Sequence, residues 1–414
     1  MGTTTKMIKR LLIRFVGIRN LILLRSIALR VTRFFVGSDF QPSERRLNRL
    51  SLPLKEVFFG YYDICPFNIG GDLVLAHAIQ HGSKHNLPID IGYFDLAQES
   101  FTKIGESTTW SWQQGSRLQW NPQNTDHEIF YNALVNGALG CKLFSTSQNR
   151  VIKEYSAPIY SISKCGKKAL SLDFSRLQSL RPGYGYPILG DQTSGEMIPD
   201  SWISSIDLNN GIISRIISLA QIVTMTPTPS MENAFHYFNH IEFNPAGDRF
   251  LFMHLWSSPS GRFGRLLTSK YDGSDIHIIN NSDHSSHYSW KNNNEILVYS
   301  TENKKMSLHL YQDTNNPEPL PVYSLTVKED GHPSYYNNNT ILMDTYPDKY
   351  LEQTLYLADG LNRVDIMKFK SPIKFSGEFR CDLHPRFNFC KTAIAVDTVD
   401  SGKRTIDIIS CSGT

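Results

Sequence analysis

From residue 56 onward, short runs of Val, Ile, Leu, Phe and Tyr alternate with clusters of Asn, Gly, Asp and Pro, and helical spacing of apolar positions nearly disappears. This pattern predicts strands punctuated by turns. One unit recurs, consisting of an aromatic residue, a polar turn and an apolar strand. It reads PFNIGGDLVLA around Phe67, QWNPQNTDHEIFYN around Trp120, SISKCGKKALSLD around Ile162 and EFNPAGDRFLFM around Phe243. It continues as SWKNNNEILVYS around Trp290, SYYNNNTILMD around Tyr335 and RFNFCKTAIAVD around Phe387. Seven units, spaced mostly near the roughly 40–50 residues of a four-stranded blade, predict an all-β, seven-bladed β-propeller over residues 51–414. A six-bladed ring is the alternative, because Ile162 is a weak anchor and a long insertion follows it. That insertion, RPGYGYPILGDQTSGEMIP at 181–199, predicts an ordered loop over one face.

Residues 1–50 follow another pattern. Within 6–36, Leu, Ile, Val and Phe are interrupted by Arg or Lys every few positions. No uncharged run approaches the about 20 residues of a membrane span, and the stretch lacks the unbroken apolar region of a cleavable signal. It predicts a short basic helix lying on an anionic membrane surface, with a helix docked on protein as the alternative. The expected location is cytoplasmic, peripheral on the inner face of the plasma membrane.

Charge sharpens this division. Residues 1–50 hold 11 Lys/Arg and 2 Asp/Glu, which accounts for the net +3 of the whole chain and leaves the rest acidic. A body with no basic excess excludes nucleic acid as its partner. The six cysteines are dispersed without a Cys-x-x-Cys pair and predict thiols in a reducing compartment.

Candidate chemistry emerges when the units are aligned on their anchors. Three residues before the anchor stand His240, His287, His332 and His384, with Arg117 in the second unit and Ile64 and Ile159 in the first and third. The first strand of every blade lines the channel in the same direction, so these side chains should converge near one mouth. The second strands should return His77, Asn132, Asp173, His254, Ser300, Asp344 and Asp397 to that rim. Neutral imidazoles with carboxylates nearby suit a divalent metal such as Mn or Zn, and a metal there would act as a Lewis acid. Hydrogen bonding between blades is the competing role for such histidines. Tyr61, Tyr62 and Asp63 in FFGYYD, and Gln113, Gln114 and Arg117 in WSWQQGSRLQW, combine aromatics, amides and a guanidinium suited to a sugar ring with a carboxylate, or to packing of the channel.

The motifs DGHPSY, SHYSW, NHIEFNP and CDLHPRF resemble blade motifs of oligogalacturonate lyase and its TolB-like, WD40-like propeller relatives. The resemblance covers roughly residues 230–410. It implies His287, His332 and His384 as metal ligands and His240 as a ligand or catalytic contact. It also implies Arg117 as the base or carboxylate clamp in a metal-assisted β-elimination on an acidic oligosaccharide. Glu329 stands where those lyases carry a liganding Gln. FFGYYD resembles propeller proteins found with bacterial surface-polysaccharide genes. The alternatives are therefore a membrane-associated glycosyltransferase or accessory protein taking a sugar nucleotide, and a non-catalytic scaffold.

Overall fold

The computed structural model of the chain describes residues 45–83 and 87–411. Seven four-stranded antiparallel sheets follow one another around a ring, so the count is seven blades. The anchors explain this regularity. Each ends an innermost strand and faces the first residues of the second strand: Phe67 opposite Val74, Trp120 opposite Ile129, Ile162 opposite Ala169 and Phe243 opposite Phe250. Trp290, Tyr335 and Phe387 face Ile296, Ile341 and Ile394 in the same way. All seven partners are buried. In the last blade, the Asn388 carboxamide oxygen accepts from the amides of Thr392 and Ala393, which fixes the polar turn after the anchor.

Blade 3 supplies the irregularity expected of the third unit. Between its second strand Lys168–Ser171 and third strand Trp202–Asp207 stand the helix Phe174–Leu180 and the 181–199 insertion. Asp173 caps that helix by accepting from the Ser175 and Arg176 amides, so it serves the helix start and not the metal-like cluster described below.

The ring closes on a segment that the sequence reading assigned to the N-terminal unit. The strand Arg46–Leu50 pairs with Thr405–Ser410 as the outermost strand of blade 7. Arg46 and Arg49 grip the buried Asp407 carboxylate at 2.6 and 2.8 Å. Among the described residues, the propeller therefore takes in Arg46–Leu50, ahead of the expected boundary at 51. RLNRL reads as part of the basic segment because its composition merges with the residues before it and its outer position leaves Leu47 exposed. The basic stretch 6–36 lies outside the described residues. Among those described, no helix is long and apolar enough to cross a membrane.

Second-strand polar residues tie consecutive blades together at one rim. Asn132 accepts from the Ile159 amide at 2.8 Å, Asp344 from the His384 amide at 3.2 Å, and Asp397 from the Phe59 and Gly60 amides at 3.0 Å each. Each link spans two blades, and the one from Asp344 holds the backbone of His384 itself.

Candidate functional site

In blade 1 the inner strand stops after Phe58, opposite His77, and pairing resumes only at Phe67. Residues 59–66 leave the sheet and enter the channel. Gly60 makes this path feasible: its φ is +136°, and a Cβ there would lie 2.9 Å from the Gln114 carbonyl carbon. The detour places Tyr61 among the histidines. Its ring stacks on His240 at 4.8 Å between centroids and meets His384 edge-on at 4.7 Å.

The four histidines do converge. Ring centroids of His287 and His332 are 4.2 Å apart, those of His332 and His384 are 4.4 Å apart, and His240 joins through Tyr61. His240 and His384 have left-handed backbones, φ 53° and 44°, as does Arg117 at the equivalent place in blade 2. Pairing in blade 4 shifts register between Asn239 and Glu242, so a bulge turns His240 into the channel. Left-handed backbone at bulky residues is costly, and its recurrence at this one position points to a site.

Hydrogen bonding decides which nitrogen each ring offers. His384 Nδ1 lies 2.8 Å from the Gly60 carbonyl oxygen, which can only accept, so the proton sits on Nδ1. His332 Nδ1 donates to Asp344 at 2.9 Å, and His287 Nδ1 faces Asp330 at 3.0 Å. Their Nε2 atoms are thereby left as lone-pair donors. Those of His332 and His384 are buried and have no hydrogen-bond partner among the described residues. Asp382, two residues before His384, completes a group with His332 and His384 whose ligand atoms lie within 4.8 Å of one another. Fixed Nδ1–H with free Nε2 is the arrangement by which proteins present imidazole to a metal, so these residues fit a divalent cation.

Electrostatics agree for most of the set. Burial above all, then neighbouring imidazoles and arginines, hold His240 and His384 well below the usual histidine range. Burial also lowers His287, against the pull of Asp330. Burial opposes charge most strongly at His332 too, but Asp344, Asp382 and Asp330 together outweigh it and leave that imidazole raised.

Other expected site residues are distributed differently. Arg117 is buried in a bidentate pair with Asp63 at 3.0 and 2.7 Å, and its guanidinium lies 4.0 Å from the Tyr160 ring centre. Its pKa is raised further by Asp63 despite burial. A guanidinium so held is no base, and neither it nor Asp63 is free to clamp a carboxylate. Glu329 is exposed and absent from the gathered ligand atoms; its neighbour Asp330 is the carboxylate that holds His287. Tyr61 gives its face to His240, and Tyr62 donates to the Tyr288 carbonyl at 2.9 Å, so both line the channel as packing. Gln114 donates to Tyr160 and Asn239. Gln113 donates to the Arg380 carbonyl, and its buried Oε1, at the edge of a cavity, has no partner among the described residues.

Sequence reasoning missed Asp382 and the arginines around it. Asp382 forms a pair with Arg380 at 2.6 Å, and Arg380 donates to Tyr184 of the insertion at 3.1 Å. The Asp-x-His spacing in CDLHPRF was the available signal, since it sets a carboxylate two residues from one of the aligned histidines. Two cavities of about 230 and 280 Å³ adjoin the cluster and share Arg181 and Arg262 in their walls. His240 and His287 line the first, and Arg380 lines the second. The 181–199 insertion thus contributes Arg181 and Tyr184 to the rim.

No family model matches the chain, and no curated protein matches its sequence. Solved structures do match. An oligogalacturonate lyase in complex with manganese superposes with a TM-score of 0.63 at 15% identity, covering 90% of this chain and 95% of that one. The oligogalacturonate lyase of Vibrio parahaemolyticus gives 0.61 at 14% identity, covering 90% and 96%. TolB from Acinetobacter baumannii gives 0.35 at 11% identity, covering 83% and 68%. At these identities the likeness to the two lyases is one of fold, and the chain is a seven-bladed propeller with their architecture.

Proposed function

We propose that the channel mouth holds a divalent metal and acts on an acidic glycan, removing the proton α to a uronate carboxylate so that the glycosidic C–O bond at the β position breaks. The observation that carries this is the pair of buried, partnerless Nε2 atoms on His332 and His384 beside Asp382. A cation held by His287, His332, His384 and Asp382 would draw charge from the carboxylate and favour the enolate-like transition state. Manganese is the preferred assignment because the matching lyase is a manganese complex.

The remaining work falls to the chain itself. Arg181 and Arg262, shared by the two cavities, are placed for the carboxylates of a uronate chain. His240 lines the first cavity, is held neutral by burial, and has only loose 3.5 Å contacts with the Tyr61 and Tyr160 hydroxyls. Its loosely held ring nitrogens facing that cavity are the atoms placed to accept the α proton. Gln113 Oε1 can accept from a sugar hydroxyl. Incubation of full-length protein with oligogalacturonate and Mn²⁺ should produce the ultraviolet absorbance of an unsaturated uronate. His240→Gln should lower kcat by about 10²–10⁴-fold with little change in metal content. Absence of unsaturated product from oligogalacturonate, oligoglucuronate and oligomannuronate alike would overturn the elimination reading.

A further inference from the structure

A second chamber opens farther along the same channel. Two residues beyond the histidines on the inner strands stand Glu242, Ser289, Ser334 and Arg386, and these line a cavity of about 310 Å³ that extends to the Asn388 turn of blade 7. Tyr62 forms part of its wall, and the centroid of that ring lies 5.1 Å from that of His332. Tyr62 therefore separates the two chambers. The volume is at the lower end of small-molecule pockets.

Its polar groups are unusually unsatisfied. Arg386 is 2% exposed, yet its Nε and Nη2 have no hydrogen-bond partner among the described residues. Asp397 lies 3.4 Å from Nη2, but its two oxygens already accept from the Phe59 and Gly60 amides. The Tyr288 hydroxyl, on a side chain 1% exposed, and the Ser334 hydroxyl are also buried and unpartnered. Orphaned groups of this kind are costly in a native fold, and three in one cavity indicate a ligand that satisfies them.

Charge narrows the ligand. Arg386 offers a planar donor edge matched to a carboxylate, and the Lys391 ammonium stands in the same wall while donating to the Tyr335 and Tyr336 carbonyls. The half-buried Glu242 carboxyl lines the same wall, where it can hydrogen-bond a ligand's hydroxyls. We infer that this chamber binds a compact polyhydroxylated carboxylate of the sugar-acid class, with its carboxylate on Arg386 and its hydroxyls on Tyr288, Ser334 and Glu242. The inference does not depend on the metal reading of the histidine cluster.

Calorimetric titration of full-length, chelator-treated protein with D-galacturonate, D-galactose and inorganic phosphate tests it. Galacturonate should bind and galactose should not. Arg386→Met should weaken binding by at least about tenfold, and Tyr288→Phe by about three- to tenfold. Tyr288→Phe removes only a hydroxyl without a partner, so it keeps the test decisive if Arg386→Met fails to fold. His384→Ala should leave this binding unchanged. Loss of binding in His384→Ala with retention in Arg386→Met would put the ligand at the histidine end and overturn the inference. Binding of phosphate but not galacturonate, or of neither, would overturn it as well.

Discussion

Purified His332→Ala and His384→Ala proteins should retain less than about a tenth of the divalent metal that the unaltered chain keeps through dialysis, as befits removal of a ligand where outer partners alone contribute 10–100-fold. The expectation follows from what each ring does besides offering Nε2. His384 contributes one hydrogen bond, to the Gly60 carbonyl, and losing such a bond costs about 0.5–1.5 kcal/mol. A protein of ordinary stability, about 5–15 kcal/mol, withstands that. In His332→Ala the Asp344 carboxylate keeps the backbone amides at 332 and 384, so it is not stranded. Loss of metal would thus report loss of a ligand and not of the fold, and circular dichroism of both variants checks this. Asp344→Asn should weaken affinity by about 10–100-fold without abolishing binding, because Asp344 fixes the His332 ring and acts outside the coordination shell. Glu329→Gln, at the exposed neighbour, should change nothing. Equal metal content across the set, measured by elemental mass spectrometry, would remove these histidines from any metal site.

Removing residues 1–51 should abolish the cooperative thermal transition, whereas removing 1–40 should leave it within a few degrees. The shorter deletion spares the Arg46–Leu50 strand; the longer one strips blade 7 of its outer strand and leaves Asp407 buried without Arg46 and Arg49. Stranding a buried charge costs about 3–5 kcal/mol, and exposing what Leu50 covers adds about 1.5–3 kcal/mol. Together these take most of the stability of an ordinary domain. Melting curves of the two truncations decide the matter, and identical curves would show that the ring does not need its closing strand. The same pair tests the membrane expectation for 6–36. Sedimentation with anionic vesicles should be lost in the 1–40 deletion, and its retention would assign membrane attachment elsewhere.

Most of the architecture was legible because a propeller repeats its physics. Each anchor meets the same buried position of the second strand, so seven copies of one local rule give seven blades, and the weak Ile162 obeys it as Phe243 does. The histidine ring was legible for the same reason, since a fixed offset from the anchor becomes a fixed height in the channel. What the repeat does not encode was missed. The 59–66 detour that carries Tyr61 belongs to no blade, and Gly60 shows its necessity only when Gln114 is seen beside it. Asp382 and Asp330 stand before their strands, outside the aligned positions, and Glu329 had the expected spacing but the wrong face. Arg117 had the right height, yet its partner Asp63, brought in by that same detour, ties it down.

The central claim is that the free Nε2 atoms at the channel mouth exist to hold a cation, and anomalous diffraction from crystals grown with Mn²⁺ tests it directly. Data collected at the manganese edge should place one strong peak among the Nε2 atoms of His287, His332 and His384 and the Asp382 carboxylate. A map with no peak there, and with those imidazoles hydrogen-bonded through Nε2 to protein, would contradict the account.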